Sequence, residues 1–347
     1  MNKRNYVPNQ PKAFWSLTKR HLLVFLKNVP SVIFTLMVPL TVLAVYIVFL
    51  RPMEVAQIKQ TLITNGIIYD TATEAGELFL HGVYGIADTW MISGVLSVSC
   101  ITVSLNANVV LVRDKEREIA KDFISSPILP TTIVSSYFLF NLIVTFVTNL
   151  IVYFICLIYL ACYGAYMITV LDFFAIIGVI LYSSVSASLL MFFICSFIST
   201  ESVMSPIVAI VSAAVGFLIG AFLPSGTGPV YIEYVTMFFP GTYSTGLFRN
   251  YFMRNPLVQL KQAPELSSEA GQKFVENLEN QFSLNLNFFG HRVNPTVMSL
   301  VILLFIAVFA VLCCVFSSKN YMNFSRKISL KKKKKVQDAQ EIKEVNQ

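Results

Sequence analysis

The densest group of charged side chains in the chain occupies ten consecutive positions. Residues 113–122 read Arg-Asp-Lys-Glu-Arg-Glu-Ile-Ala-Lys-Asp, so that eight of the ten are charged. Continued helical spacing would place Ile119, Phe123 and Ile124 on one apolar ridge beside these charges. An apolar ridge framed by charges can bind a soluble partner protein. The alternative interpretation is a solvated turn whose basic residues only set the topology of a membrane protein.

Chemistry at a metal or in a covalent site is not indicated anywhere in the sequence. His21, His81 and His291 are scattered, the six cysteines lie inside apolar runs, and no spacing resembles a zinc site. The sequence also lacks a phosphate-binding loop of the form G-x-x-x-x-G-K-[ST]. We therefore predict no catalytic residue, no metal site and no cofactor bound by this chain. If ATP drives its work, ATP and magnesium must bind a separate subunit.

The composition is that of a membrane protein. Hydrophobic residues make up 55% of the 347 positions and charged residues 13%, against roughly 45–50% and ~25% in soluble domains. The net charge is +7, and the basic residues flank apolar runs instead of covering one soluble face. This distribution argues against nucleic-acid binding and favours a protein of the lipid bilayer.

Six apolar runs are each long enough to cross a hydrocarbon layer of about 30 Å at 1.5 Å per residue. They cover residues 31–50, 91–112, 133–163, 170–198, 204–223 and 296–317. No charged residue or histidine lies well inside any of them, and only Asp172 and Glu201 lie at their ends. Proton pumps, ion-coupled carriers and intramembrane proteases generally need such groups, so their absence argues against all three.

The basic residues also predict the orientation. Six spans place both termini on one side, and 19 of the 26 Lys and Arg residues fall in the two terminal segments and in the loop at 113–131. Both termini are therefore expected in the cytosol. The predicted organisation is a cytosolic tail with a basic amphipathic interfacial helix (1–30), a six-helix transmembrane domain (31–318) and a disordered basic tail (319–347). Its outer loops are 51–90 and 224–295, and its coupling loop is 113–131.

The second outer loop has two parts. The stretch 231–252 is apolar and aromatic but too short to cross twice, and Pro240-Gly241 interrupts it. It favours a re-entrant helical hairpin packed against protein. The following stretch, 265–282, is polar and helix-prone. Arg249, on the hairpin, either caps backbone carbonyls or meets an anionic headgroup.

The second and fifth runs carry small or polar residues at regular spacing. Ser97, Thr102, Ser104 and Asn108 belong to an uncharged stripe in the second run, which either lines a path through the membrane or hydrogen-bonds neighbouring helices. In the fifth run, residues at four-residue spacing predict close helix packing: Ser212, Gly216 and Gly220.

The order of these parts resembles the membrane subunits of type-2 ABC exporters. In that family the first cytosolic loop typically reads Glu-x-Glu-x-Gly-Thr, then Leu, then Pro. Here residues 116–127 read Glu-Arg-Glu-Ile-Ala-Lys-Asp-Phe-Ile-Ser-Ser-Pro, so the paired Glu and the Pro match while Ile-Ala-Lys replaces the small residues. The family's hairpin carries Pro-x-Thr-Tyr and a following Arg, which look like Pro240, Tyr243 and Arg249 here. The resemblance covers residues 12–318.

The resemblance implies a permease that pairs with a second copy or a paralogue, each resting on a cytosolic ABC ATPase subunit. The helix at 12–27 would touch the ATPase, and spans two and five would face the pathway. The loop residues implied to couple to the ATPase are Glu116, Arg117, Glu118, Lys121, Asp122 and Phe123. An uncharged pathway suits an amphipathic or hydrophobic cargo such as a drug, a peptide or a lipid-like molecule.

The composition also indicates the type of organism, and other functions remain open. Abundant Phe, Ile, Lys and Asn with little Ala and Gly indicate an AT-rich bacterial genome, hence the bacterial plasma membrane. Three other functions stay open: a permease for lipid-linked glycans, a membrane scaffold without transport, and a secondary carrier.

Overall fold

Helices account for nearly all of the computed structural model, which describes residues 9–64, 74–119, 122–123, 126, 128–163, 166–222, 234–266, 268–282, 286–288 and 291–317. In chain order the helices are α1 Gln10–Lys27, α2 Val29–Val45, α3 Arg51–Thr64, α4 Glu74–Ala107, α5 Val109–Glu116, α6 Pro130–Cys162, α7 Val170–Ser196, α8 Glu201–Leu218, α9 Pro240–Phe252, α10 Arg254–Lys261, α11 Glu269–Gln281 and α12 Pro295–Leu312. Wider π turns occupy Tyr46–Leu50 and Cys313–Ser317, and a 3-10 turn occupies Pro264–Leu266. Strands β1 Leu286–Phe288 and β2 His291–Val293 form a short antiparallel ribbon.

Six helical stretches among the described residues are long and apolar enough to cross a membrane. They are span 1 Val29–Thr64, span 2 Phe79–Glu116, span 3 Pro130–Cys162, span 4 Val170–Ser196, span 5 Glu201–Leu218 and span 6 Pro295–Val315. The predicted all-α fold with six transmembrane helices is therefore confirmed. The amphipathic helix expected before span 1 is present as α1, which buries Leu17, Thr18, His21 and Phe25.

The prediction of a loop over 51–90 is wrong for the part of that stretch that the structure describes. Helix α3 continues span 1 as far as Thr64, and α4 begins at Glu74. The sequence does not predict the true start of span 2 because Gly82, Gly85 and Asp88 lower the hydropathy of this stretch. Asp88 precedes the apolar run at 91–112 but lies within span 2 and is completely buried, and span 1 contains Arg51, Glu54 and Lys59 beyond its run at 31–50. The spans are therefore longer than the charge-free runs.

The predicted hairpin and tail are only partly covered. Of the hairpin at 231–252, residues 231–233 lie outside the described residues, and the rest contains α9, which starts at Pro240. The polar stretch at 265–282 forms α11, as its composition predicts. The basic tail at 319–347 also lies outside the described residues.

Helix α4 is the central element of the fold. It packs against α2, α6, α7, α8 and α9, and 89% of the apolar window of span 2 is buried. The corresponding shares for spans 1, 5 and 6 are 22%, 17% and 17%, so these spans expose apolar residues such as Phe34, Ile210 and Leu304. Apolar surface of this extent needs lipid or another protein to cover it.

Local sequence signals fix where several helices begin. Helices α6, α9 and α12 each start with a proline, whose fixed φ suits the first helical turn and whose missing N–H costs nothing there. Helix α7 has a side-chain cap instead. The Thr169 Oγ1 accepts a hydrogen bond from the backbone N–H of Asp172 at 3.3 Å and donates to the Asp172 carboxylate at 2.5 Å.

Candidate functional site

The last turn of α5 is tied to the start of α8. Arg113 Nε forms an ion pair with Glu201 Oε1, and Glu116 Oε2 accepts a hydrogen bond from the backbone N–H of Glu201 at 2.9 Å. The first N–H groups of a helix have no partner within the helix, and a carboxylate there also interacts favourably with the helix dipole. Two side chains of α5 therefore fix the beginning of span 5. We call this end of the bundle the Arg113 end.

Lys115, between these two residues, fixes the end of α7. Its Nζ donates to the carbonyl oxygens of Cys195, Ser196 and Ile198 at 3.2, 2.7 and 3.1 Å. The last carbonyls of a helix lack partners within the helix and form the negative end of its dipole. The ammonium group satisfies both needs, so span 4 is held to span 2 at this point.

Asp114 joins α5 to α1 and α6. Its buried carboxylate forms a two-pronged ion pair with Arg20, in which Nη1 contacts Oδ2 and Nη2 donates to Oδ1 at 3.1 Å. The hydroxyl of Tyr137 donates to Oδ2 at 2.7 Å. The Arg20 guanidinium also lies 5.4 Å from the centre of the Phe123 ring. The Asp114 carboxylate thus links the amphipathic helix to the ends of spans 2 and 3. Through Arg20, it also connects to Phe123 in the loop after span 2.

His21 completes the packing beside Asp114. Its ring stacks on Tyr137 with 3.8 Å between centroids, and its Nε2 lies 3.3 Å from Ser136 Oγ. Burial, with a smaller contribution from the charge of Arg20, lowers the pKa of His21 to about 3. At neutral pH the imidazole is therefore uncharged and acts as a packed ring.

An open groove of about 750 Å³ lies between spans 1, 2 and 5. Apolar side chains dominate its walls, among them Phe34 and Val38 of span 1 and Val208 of span 5. Uncharged polar side chains are interspersed: Ser31, Thr35, Thr41, Asn106, Ser205 and Ser212. No lining residue that the structure describes carries a charge, so the groove suits a mainly apolar occupant with a few hydrogen-bonding groups.

At the opposite end of span 5, Arg249 of α9 binds the residues that follow the helix. Its side chain is 1% exposed. Its Nη2 donates to the carbonyls of Gly220 and Ala221 at 2.8 and 3.2 Å, and its guanidinium lies 5.3 Å from the centre of the Trp90 indole. The geometry corresponds to carbonyl capping, the first of its two predicted roles. We call this end of the bundle the Arg249 end.

A second buried charge lies at the Arg249 end. The Asp88 carboxylate accepts hydrogen bonds from Tyr46 at 3.2 Å, from Tyr159 at 2.9 Å and from Arg51 at 2.8 and 3.2 Å. These donors come from spans 1 and 3, and Arg51 also lies over the ring of Tyr163. The π turn at Tyr46–Leu50 separates Tyr46 from Arg51 and presents both to Asp88. The network therefore joins the first three spans.

The comparison with known protein families decides the class of the chain. A family model described as ABC-2 family transporter protein matches residues 56–317. The chain belongs to this family. It is therefore a membrane permease subunit of the ABC-2 type, as the sequence motifs indicate. No curated protein matches the chain.

The permease uses its predicted coupling residues in different ways. Glu116 is exposed but binds the start of α8, so it also has a structural role. Arg117, Glu118 and Asp122 are exposed, while Phe123 is half-buried against Arg20. Lys121 lies outside the described residues.

Glu118 ends the helix at this point. Its φ is 61°, in the left-handed region that non-glycine residues seldom adopt. Its backbone N–H donates to the carbonyl of Lys115 at 3.1 Å, as is typical of a residue just beyond a helix. The chain therefore turns sharply away from α5 before the exposed part of the loop.

The polar stripe of the permease hydrogen-bonds helix backbones instead of lining an open path in this chain. All four predicted residues are buried. Their acceptors are the carbonyls of Gly241 for Ser97, Val98 for Thr102, Ala187 for Ser104 and Ser104 for Asn108, at 3.0 to 3.4 Å. Asn106, in the same stripe, lines the groove instead. The spacing of the stripe predicted polar contacts but not which residues face the groove.

The small residues of span 5 also have different roles. Ser212 lines the groove. A Cβ at Gly216 would lie 2.0 Å from the ring of Phe222, so Gly216 packs against its own segment. At Gly220 a Cβ would meet nothing within 4 Å among the described residues of this chain, and its φ of 64° gives a local reason for glycine, while the close packing predicted for this position stays a prediction. Pro240 starts α9, and Tyr243 is buried in the core.

No metal centre is formed by the residues that the structure describes. Among them, no three or more His, Cys, Asp or Glu side chains come together in a group that could hold a metal ion. The charged side chains at both ends are engaged by helix ends, arginines and tyrosines. The arrangement holds helices together and forms a groove.

Proposed function

We propose that this permease is the membrane half of an exporter for amphipathic or hydrophobic molecules, driven by a separate ABC ATPase that binds the Arg113 end. Both termini would then lie in the cytosol of a bacterial cell. Two copies, or a copy and a paralogue, would assemble through the apolar surfaces of the sparsely covered spans. The chain itself would hydrolyse nothing.

The Arg113 end carries this proposal. Four consecutive residues, 113–116, bind four other helices, two of them at their ends. The exposed charges of Arg117, Glu118 and Asp122 follow in the loop. Any protein that moves this loop therefore pulls on α1, α6, α7 and α8 together. A turn that only obeyed the positive-inside rule would have no need for these contacts. In the sequence, 19 of the 26 Lys and Arg residues fall in the two terminal segments and in the loop at 113–131, a distribution that favours the cytosol for this loop.

The groove supports the class of cargo. Its walls are apolar, its polar groups are uncharged, and its volume of about 750 Å³ lies within the ~300–1,000 Å³ range of small-molecule sites. A glycan would need a denser set of hydrogen-bonding and aromatic side chains. Drug-like, peptide-like or lipid-like molecules fit the groove better.

The test reverses two exposed charges of the loop. A Glu118→Lys/Asp122→Lys permease is co-expressed with its ATPase and purified in detergent. Glu116 is kept because it holds α8. The control is Glu269→Lys/Glu276→Lys, which reverses two exposed acids on α11. We expect ATPase activity to co-purify with wild type and control and to be lost from the loop variant.

Other results would redirect the proposal. Equal ATPase binding by the loop variant and wild type would overturn docking at this loop. ATPase binding without stimulation by any amphipathic molecule would favour the lipid-linked glycan exporter. A wild-type chain that binds no ATPase would leave a scaffold or a carrier, and the buried Asp88 would then deserve mutation first.

A further inference from the structure

Span 5 has its fully buried side chains near its two ends, and between them Ile207, Val208 and Val211 are only half-buried against the core. From residue 205 to residue 214 no side chain of α8 is buried, and several of them line the groove. Burial resumes at Val215 and Gly216 and includes Ile219 and Ala221 beyond the helix. At the other end Met204 is buried beside the contacts of Glu201. The groove wall on this side is therefore formed by the middle of α8, where no side chain is fully buried.

At the Arg249 end, α4 and α9 lie very close to the segment that follows α8. A Cβ on Gly94 of α4 would lie 2.8 Å from the carbonyl oxygen of Ala221, and a Cβ on Gly241 of α9 would lie 2.8 Å from the side chain of Ile219. Ser97 of α4 also donates to the carbonyl of Gly241 at 3.0 Å. Two helices thus approach the segment after α8 so closely that only glycine fits at the contact.

Arg249 supplies the polar contact within this enclosure. The carbonyls of Gly220 and Ala221 lie just beyond the last turn of α8, where backbone oxygens have no helical partner. A guanidinium can donate to both and still lie over the Trp90 ring, which a lysine cannot do as well. The carboxylate of Glu54 adds a favourable charge interaction with Arg249. The position therefore needs arginine in particular.

We infer that Arg249 is a positioning residue that fixes the far end of span 5, so that movement of the Arg113 end changes the width of the groove. Pro206, in the second turn of α8, removes one backbone hydrogen bond, and the helix continues beyond it to Leu218. A helix that is held at one end rotates when its other end is displaced, and its middle moves about half as far. If both ends were free, the helix would shift as a whole and the groove would change evenly along its length instead of opening from the Arg113 end. The inference rests on the proposed function for the source of the movement.

One arm of the test needs no ATPase. Spin labels at Phe34→Cys and Ile210→Cys lie on spans 1 and 5, and both positions are exposed. The exposed Cys162 and Cys314 are changed to serine first. In detergent, we expect a narrow distance distribution for the wild-type background and a broader one for Arg249→Gln. The control is Arg254→Gln, an exposed arginine five residues further on, which should not broaden it.

The second arm adds the ATPase and an amphipathic probe of the drug class. For Arg249→Gln we expect ATPase binding and basal hydrolysis like wild type, with probe transport reduced about tenfold, as when one or two charge-assisted hydrogen bonds are lost. Arg249→Lys should recover part of the transport. If Arg249→Gln does not yield folded protein, Arg249→Lys serves as the test variant in both arms, with an intermediate loss expected.

The two arms separate the two hypotheses. A distance distribution for the Arg249 variant that matches wild type would overturn the positioning role, whatever the ATPase does. Wild-type transport by a variant with a broadened distribution would also overturn it. Broadening by the variant, together with a wild type that binds no ATPase, would support the fixed end and reject the proposed function.

Discussion

The Arg113 end and the Arg249 end both use a cation to bind the carbonyls at the end of a helix, but in different surroundings. Lys115 binds three carbonyls at the end of span 4, and Arg249 binds two just after span 5. Around Lys115 the charges are partly exposed: the side chains of Arg113 and Glu201 are 24% and 36% accessible. Arg249 is 1% exposed and is enclosed by helix backbones.

This difference has a physical consequence. Partly exposed ion pairs contribute little stability, about 0–1 kcal/mol, and salt screens them. Breaking a buried, hydrogen-bonded charge is far more costly, about 3–5 kcal/mol. The Arg113–Glu201 pair can therefore exchange its contacts when a partner binds, whereas the contacts of Arg249, and those of the buried Asp114 at the Arg113 end, cannot. A permease that moves one end of a helix against the other needs this asymmetry.

The most severe test of the comparison is Asp88→Ala at the Arg249 end. The substitution removes the acceptor of four hydrogen bonds and leaves the Arg51 guanidinium without its counter-charge. We expect a loss of about 3–5 kcal/mol in the free energy of unfolding, measured by reversible denaturation in detergent micelles. The control is Asp122→Ala in the exposed loop at the Arg113 end. Equal stability of the two variants would remove the basis for treating the ends differently.

The sequence predicted much of the fold but few of these contacts. Uninterrupted apolar runs identified spans 3 and 4 almost to the residue. The sequence predicts too short a span 2 because the charge of Asp88 lowers the local hydropathy, as a loop residue would. The hydrogen-bond partners of Asp88, Tyr46 and Tyr159, lie 42 and 71 positions away in the sequence. Periodicity along one helix cannot reveal such pairings.

The same limit applies at the Arg113 end. The charges at 113–122 were correctly singled out as a cluster, but their partners were not. The counter-ion of Asp114 is Arg20, 94 positions earlier, and nothing local to either residue indicates the pairing. Glu116 was expected to face a partner protein, yet its carboxylate binds a helix start 85 positions later. Local sequence shows that charges are present, and the fold determines which of them stay available.

Close packing at the Arg249 end is tested by Gly94→Ala. The added methyl group would lie 2.8 Å from the Ala221 carbonyl oxygen, so backbone must shift, at a cost of about 1–3 kcal/mol. Gly178→Ala in span 4 is the matched control, because a Cβ there meets nothing within 4 Å among the described residues. The control should be neutral or slightly stabilising, since alanine favours helix by up to about 1 kcal/mol over glycine. Similar losses in both variants would show that the enclosure is not tight.

Acid should weaken the Arg113 end through His21. Its pKa is lowered to about 3 in the folded protein, against about 6.5 in an unfolded chain. Its contribution to stability is present above pH 6.5 and is lost as the pH falls toward 3, because only the unfolded state takes up the proton. At pH 5.5 the loss is about 1 kcal/mol. Chemical denaturation at pH 8 and pH 5.5 should show this loss in wild type and a smaller one in His21→Phe, which keeps a ring against Tyr137. An unchanged pH dependence in the variant would assign the effect to another group.

The smallest effect on stability, and the most informative for the comparison, is expected from the Arg113–Glu201 pair. Arg113→Gln should lower the free energy of unfolding by no more than about 1 kcal/mol, and less at high salt, because the pair is partly exposed. If the proposed function holds, the same variant should reduce the stimulation of the ATPase by cargo, since Arg113 links the loop to span 5. Restoration by Arg113→Glu/Glu201→Arg would show that the pairing itself transmits the movement. A large loss of stability with unchanged stimulation would reverse the assignment, making this end the fixed one.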